Sequence, residues 1–336
     1  MRKPTDIERL YIDFDAFFAN VEKELDPSVR GKPVGVTSLL SNNAALITCC
    51  YMAKAAGIQR GMRVFEAKKI CPDIVIKPAR HDVYVNIHNR ILDEVNRHVP
   101  VTKVWSIDEV ECTLIGQERR EPEALAMRIR GGLARNIGAC ITPSIGLASN
   151  QFLAKVAAEL NKPNGLTVLR PESLPGPLLD LNLKDLPGIS SGMQKRLNTA
   201  GIVSMSDFWN ISAKHARAIW GNVEGERMWA QLHGYAISRP DTTRRMFGHS
   251  RLLSGEWQRP NKAVDCLRLL TVKAAYRMRR EAYAAKTLSI SLRLDAGRWN
   301  DSTNFPVCDD DHTLTAHMHA LYDAASTRLG PRTRIR

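Results

Sequence analysis

The sequence predicts a multidomain α+β protein built around an acid-bearing sheet domain. Three observations predict it. Strand-like and helix-like stretches mix through residues 1–167, with acidic residues near the strand ends. From about residue 171 the texture turns Pro- and Leu-rich, then helical to about Gly234. Charge gathers toward the C-terminus: residues 241–336 hold 17 Lys and Arg against 10 Asp and Glu, over half of the chain's net +13 in under a third of its length.

Each element follows from local pattern. Residues 9–15, RLYIDFD, alternate apolar and polar and predict a strand. FFANVEKEL follows at helical spacing, DPSVRGKP stops it, and PVGVTSLL predicts another strand. Residues 51–71 predict helical pieces broken at Gly57 and Gly61. Residues 80–98 predict an amphipathic helix with Val83, Ile87, Ile91, Leu92 and Val95 on one face. VTKVWSIDEVECTLIG predicts two strand-like halves around an acidic pair, and 121–137 a helix. ITPSIGLA predicts a strand and SNQFLAKVAAELN a helix ended by KPNG. A small all-helical domain is expected at 168–238 and a polar, basic linker at 239–250. Beyond it come a long helix (262–284), the strand TLSISLRLD and a helix at 313–329.

Composition narrows the function class. At about 150 residues per domain, 336 residues suggest about two domains, or several small ones. With 44% hydrophobic and 25% charged residues the chain is not disordered, collagenous or coiled coil as a whole. No run reaches the ~18 apolar residues of a membrane span, and MRKPTDIERLYIDFD shows no apolar signal core. The seven cysteines include an adjacent pair and no CxxC, which fits reduced thiols in a cytoplasmic protein rather than disulfides or zinc. A soluble, basic chain with a pI near 9.6 suits a polyanion partner, nucleic acid first.

Four constellations carry chemistry. Period 2 puts Asp13 and Asp15 on one strand face, where two carboxylates want solvent, a partner or a bridging cation. Ser106-Ile107-Asp108-Glu109 is an acidic turn or, at a hairpin tip, a pair of hard oxygen ligands suited to Mg²⁺ or Mn²⁺. LAKVAAELNKPNG carries Lys155 and places Lys162 where a helix ends, either complementing the helix dipole or reaching a phosphate. LPGISSGMQKRL, with Gly188, Gly192, Lys195 and Arg196, fits a Gly-rich helix turn or a helix–hairpin–helix whose N–H groups face a phosphate.

In this order the four elements resemble the Y-family (translesion) DNA polymerases, the polymerase IV and UmuC-like (ImpB/MucB/SamB) group. The resembling stretches are YIDFDAFFANVEKELDPSVRGKPVGV, CYMAKAAGIQRGMRVFEAKKICPD, WSIDEV, SIGLASNQFLAKVAAELNKPNG and LPGISSGMQKRL, covering most of 9–235. The resemblance implies a right-hand polymerase. Its ferredoxin-like palm would be residues 1–28 with 79–167 and its small fingers 29–78. The helix–hairpin–helix thumb would be 168–238 and the α+β little finger 245–336.

It implies Asp13, Asp108 and Glu109 as catalytic carboxylates. With the Phe14 carbonyl they would hold two Mg²⁺ ions, a role Mn²⁺ could also fill. Asp15 matches an acid that is not a main ligand. Phe18 matches the steric gate that rejects a 2′-hydroxyl, and Tyr51, Lys54 and Lys162 match the grip on the triphosphate. Gly188, Gly192, Lys195 and Arg196 would hold DNA by its backbone. The implied partners are primer–template DNA, dNTP and other repair proteins, with no membrane.

The chain departs from the pattern in three places. Lys54 stands where many relatives have Arg, and Val110-Glu111-Cys112 follows the acidic pair. The stretch GPRTRIR leaves no recognisable clamp-binding tail and predicts an incomplete little finger with an unpaired edge. The implied activity is template-directed nucleotidyl transfer. The alternatives are a catalytically weak or inactive polymerase-like DNA-binding scaffold in a mutagenesis complex, and a metal-dependent phosphodiesterase.

Overall fold

The computed structural model describes residues 1–238, 243–295, 297–327, 329 and 333–335. They fall into two compact units, 1–239 and 240–336.

In the first unit, strand β1 (Arg9–Phe14) runs into helix α1 (Phe17–Leu25). Ala16 makes the corner in the left-handed region (φ 42), which lets the chain reverse within two residues of the strand. Strands β2 (Val34–Thr37) and β3 (Leu46–Cys49), helices α2 (Tyr51–Ala55) and α3 (Val64–Ile70) and strand β4 (Val75–Pro78) follow. Gly57 and Gly61, both at positive φ, separate α2 from α3 as the sequence predicts. These strands form a small sheet in the order β3-β2-β4, with β2 antiparallel to β3 and parallel to β4.

Helix α4 (His81–Asn96) leads to a hairpin of β5 (Val101–Val104) and β6 (Glu109–Thr113), then to α5 (Gly116–Arg120) and α6 (Pro122–Asn136). Strand β7 (Pro143–Ala148), helix α7 (Gln151–Leu160) and strand β8 (Leu166–Leu169) complete a five-stranded sheet ordered β5-β6-β1-β7-β8. Every neighbouring pair is antiparallel except β7 with β8.

The two faces of this sheet differ as period 2 requires. Leu10, Ile12 and Phe14 of β1 pack with Ile87, Ile91 and Val95 of α4 and with Ile129 and Leu133 of α6. Tyr11 turns to the opposite face and joins Ala148 of β7 and Phe152, Leu153 and Val156 of α7. That second core is shared. It continues into Leu178, Leu183, Leu186 and Ile189 of the Pro- and Leu-rich stretch and into the helices beyond it. Those helices are α8 (Ser191–Thr199), α9 (Met205–Asn210), α10 (Ala213–Trp220) and α11 (Val223–Leu232). The expected helical region is therefore present, and it packs directly on α7 within the first unit.

The expected linker at 239–250 lies partly outside the described residues (239–242), and 243–250 has no regular structure. In the second unit, α12 (Pro260–Arg280) and α13 (Asp311–Ser326) pack against an antiparallel pair, β9 (Ala285–Leu294) and β10 (Gly297–Cys308). The end of the expected helix 313–329 includes residue 328, outside the described residues. Strands β3, β4, β8 and β10 are not anticipated by the sequence pattern. β3, β4 and β8 have four residues each, and β10 carries Gly, Asn, Asp, Ser and Pro, residues poor in β-propensity, with most of its length exposed. Among the described residues no helix is long and apolar enough to cross a membrane, and all seven cysteines are free thiols.

Gly146 on β7 lets α7 lie against the strand: a Cβ there would run into the Ala154 carbonyl oxygen and the Ala158 nitrogen. Gly146→Ala should cost about 3 kcal/mol, the upper end of core overpacking. The check is the urea midpoint of the variant against that of the parent chain.

Candidate active site

The site begins with strand register. Asp13 of β1 faces Glu109 of β6 directly, and its other neighbour is Ser144 of β7. Two like charges set opposite each other across a ladder destabilise it unless something neutralises them. The hairpin tip brings a third carboxylate. Residues 105–108 join β5 to β6, and the Phe14 N–H donates to the Asp108 carbonyl (2.9 Å), so the tip folds back onto the end of β1. Ser106 Oγ donates to the Asp108 carboxylate and sits 3.4 Å from Glu109 Oε2. His88 of α4 steadies the tip through Nδ1 and the Ile107 carbonyl (2.9 Å).

Two lysines answer the acids. Lys155, on α7, pairs with Glu109. Lys162, just past α7, lies 2.6 Å from Asp13 and 2.9 Å from Glu159. Burial pushes the Asp13 carboxyl up to about 7, against the pull of Lys162. Burial opposes the Lys162 charge, but Asp13 and Glu159 together raise its pKa. Among the described residues, no three His, Cys, Asp or Glu side chains converge closely enough to hold a metal ion as they stand. The donor set nevertheless fits a hard divalent cation: carboxylates of Asp13, Asp108 and Glu109 beside the Phe14 backbone, with two ammonium groups standing in as counter-charges.

Asp15 does different work from Asp13. It is buried and accepts from Ser144 Oγ (2.8 Å), Thr142 Oγ1 (3.1 Å) and the Asn164 N–H (2.7 Å). It ties the end of β1 to β7 and to the turn that carries Lys162.

Around the acids, the half-buried Phe18 stacks on Tyr84 (centroids 4.4 Å apart, 15° between planes). Tyr84 is fully buried and donates to Glu22 (2.8 Å), which Arg80 also holds (2.6 Å). Tyr51 opens α2 with the Lys54 ammonium 4.0 Å from its ring centroid. Burial pushes the Tyr51 hydroxyl up to about 12, with Asp15 adding to the rise and Lys162 opposing it. Gly188 takes φ 91 in the turn before α8, where Ser190 caps the helix. Gly192 lies in the first turn of α8, and Lys195 and Arg196 are exposed along it. Between this turn and α7 runs a cavity of about 700 Å³, lined by Lys155, Glu159, Lys184, Gly188 and Ser190.

The structure thus sets Asp13 against Glu109 and Lys162, lays the Asp108 backbone on Phe14 with its carboxylate joined to Ser106, and sets Tyr51 beside Lys54. Gly188, Gly192, Lys195 and Arg196 form a separate group on and before α8. Sequence reasoning missed Tyr84 as the support of Phe18, Ser106 as the clasp of the acids, and Lys155 as the partner of Glu109. The seven-residue interval from Lys155 to Lys162, two helical turns, is the one signal that could have set both lysines on the same side.

Comparisons with known proteins give the class. Residues 12–159 match the impB/mucB/samB family and residues 244–336 the impB/mucB/samB family C-terminal domain. The fold is that of the Y-family DNA polymerases: a Y-family DNA polymerase chimera superposes with a TM-score of 0.82 at 24% identity, over 98% of this chain and 96% of that one. The DinB structure from Sulfolobus solfataricus gives 0.61 at 25% identity over the same shares. The DNA polymerase IV of Moorella thermoacetica is 31% identical over 303 residues, 88% of this chain and 75% of that protein. The DNA polymerase IV of Saccharolobus solfataricus is 31% identical over 251 residues, 73% and 70% respectively. The chain belongs to the impB/mucB/samB family.

Removing the Asp15 carboxylate strands three donors beneath the site. Asp15→Ala should lower stability by about 3 kcal/mol, the scale for a buried charged acceptor. Asp15→Asn should recover part of that loss. Denaturant unfolding of both variants checks it.

Proposed function

We propose that the chain extends a DNA primer along a template by nucleotidyl transfer, in the manner of translesion synthesis, in the cytoplasm. The observation that carries the reading is the register that sets Asp13 against Glu109, while the hairpin tip lays the Asp108 backbone on the end of β1 and Ser106 links the Asp108 and Glu109 carboxylates. Divalent cations, two Mg²⁺ with Mn²⁺ as a substitute, would be held by Asp13, Asp108, Glu109 and the Phe14 carbonyl. When bound they would activate the primer 3′-hydroxyl and neutralise charge on the pyrophosphate that leaves.

The chain's own residues do the rest. Lys162, which spans Asp13 and Glu159, is the cation best placed to turn from its acids to a triphosphate. Tyr51 and Lys54 hold the same anion from α2. Lys54 does so as a point charge, without the fork of an arginine. Phe18, braced by Tyr84, presents its ring to the sugar and excludes a 2′-hydroxyl. The Gly188 turn, Gly192, Lys195 and Arg196 bind duplex DNA by its phosphates and read no sequence. We take residues 1–28 with 79–167 as palm, 29–78 as fingers, 168–238 as thumb and 245–336 as little finger.

Three outcomes test this. Primer extension should require Mg²⁺ or Mn²⁺ and should fall at least about 10²-fold in Asp108→Ala, the scale for losing one charge-stabilising group. Unchanged extension in that variant overturns the assignment. Phe18→Ala should admit ribonucleotides that the parent chain rejects, read as the ratio of rNTP to dNTP incorporation. Replacing Lys195 and Arg196 together by Ala should weaken DNA binding on any sequence, and should flatten the salt dependence of log Kd by about two phosphate contacts.

A further inference from the structure

The row of residues that crosses the sheet at the acids has a fourth member on its outer end. Val104 of β5 faces Val110 of β6, so Trp105 stands opposite Glu109, and its N–H donates to the Glu109 carbonyl (3.0 Å). From the residue that follows β5 across β6, β1 and β7, the row reads Trp105, Glu109, Asp13, Ser144.

The two ends of this row are chemically unlike. Beyond Asp13 lie Lys162, on Asp13 itself, and Tyr51 with Lys54, close enough for Asp15 and Lys162 to act on the Tyr51 hydroxyl, while Lys155 holds Glu109 from α7. Beyond Glu109 lies Trp105, a residue 42% exposed. The indole is held rather than loose. Its Nε1–H donates to Glu111 Oε2 (2.9 Å), and Glu111 is buried and paired with Arg9 Nε (3.1 Å). The Lys103 ammonium lies 4.3 Å from its ring centroid. A fixed, half-open aromatic with an ammonium over its ring is a surface for a ligand that is apolar and stackable in one part and anionic in the next.

Phosphoryl displacement sets attacking and leaving oxygens in line, on opposite sides of the phosphorus. With the polyphosphate drawn to Lys162, Tyr51 and Lys54, as proposed above, the attacking hydroxyl comes in from the opposite, Trp105 end. On the polymerase reading above, we propose that Trp105 is a positioning residue for the primer. Its indole packs against the sugar and base of the 3′-terminal primer nucleotide, and Lys103 meets the phosphate behind that nucleotide. The hydroxyl is thereby held beside Asp108 and Glu109.

The test is steady-state extension of a recessed primer by the full chain and by Trp105→Ala and Trp105→Phe, with melting temperature as the folding control. Trp105→Ala should raise the KM for primer–template about tenfold or more, the scale for losing one base–aromatic stack. The KM for dNTP should stay within about twofold, and Trp105→Phe should restore most of the loss. An equal rise in both KM values, or a primer KM that does not move, overturns the proposal. Indole emission gives a second readout that does not depend on turnover and stands even if Trp105→Ala fails to fold. Primer–template binding should change the emission of the parent chain, and Trp105→Phe should abolish most of that change. A change that survives in Trp105→Phe overturns the proposal. A parent chain that binds but never extends overturns the polymerase reading instead, and the emission then decides on Trp105 alone.

Discussion

The constraint beneath this structure is that Asp13 and Glu109 face each other across two hydrogen-bonded strands. A sheet does not hold two carboxylates at that separation for nothing. Nearly every feature nearby answers their charge. Lys155 reaches in from the middle of α7 and Lys162 from just past its end, Ser106 clasps the adjacent carboxylates, and Glu159 shares Lys162. Asp15 makes the contrast plain. Its three hydrogen-bond donors satisfy it entirely within the protein. Asp13 and Glu109, by contrast, each rest against a lysine, a counter-charge that a cation could replace on the proposed reading.

Much of this was legible in the sequence, for identifiable reasons. The alternation of RLYIDFD fixes β1 and puts Asp13 and Asp15 on one side, and the acidic pair between two strand-like halves does mark a hairpin tip. The amphipathic stripe of 80–98 gives α4, with Ile87, Ile91 and Val95 buried as expected. What the pattern could not give is tertiary. Tyr84 lies on that same helix, but its stacking on Phe18 and its bond to Glu22, 62 residues away in sequence, depend on how α1 and α4 meet. Lys155 reads as an ordinary helix lysine until α7 is laid across β1 and β7. Strand β10 eluded the pattern because its two-stranded sheet asks little of its exposed face.

Glycine marks two places where backbone geometry governs the site. Gly146 allows α7 to approach β7 at backbone contact, which sets how far Lys155 must reach. Gly188 takes a conformation that a side chain would resist, turning the chain between the Pro- and Leu-rich stretch and α8. One glycine sets the depth of the acid site and the other shapes the groove beside it.

Helix α7 has two allegiances. It buries Phe152, Leu153 and Val156 in the core it shares with the helical stretch beyond residue 171, and from the same ten residues it delivers Lys155 to Glu109. The helix lies directly on β7 and β1, where Gly146 brings it to backbone contact, and its outer side carries the helical stretch. Whatever shifts α7 on the sheet therefore shifts the ammonium that faces Glu109, so the fit between helix and sheet is written into the meeting of one lysine with one carboxylate.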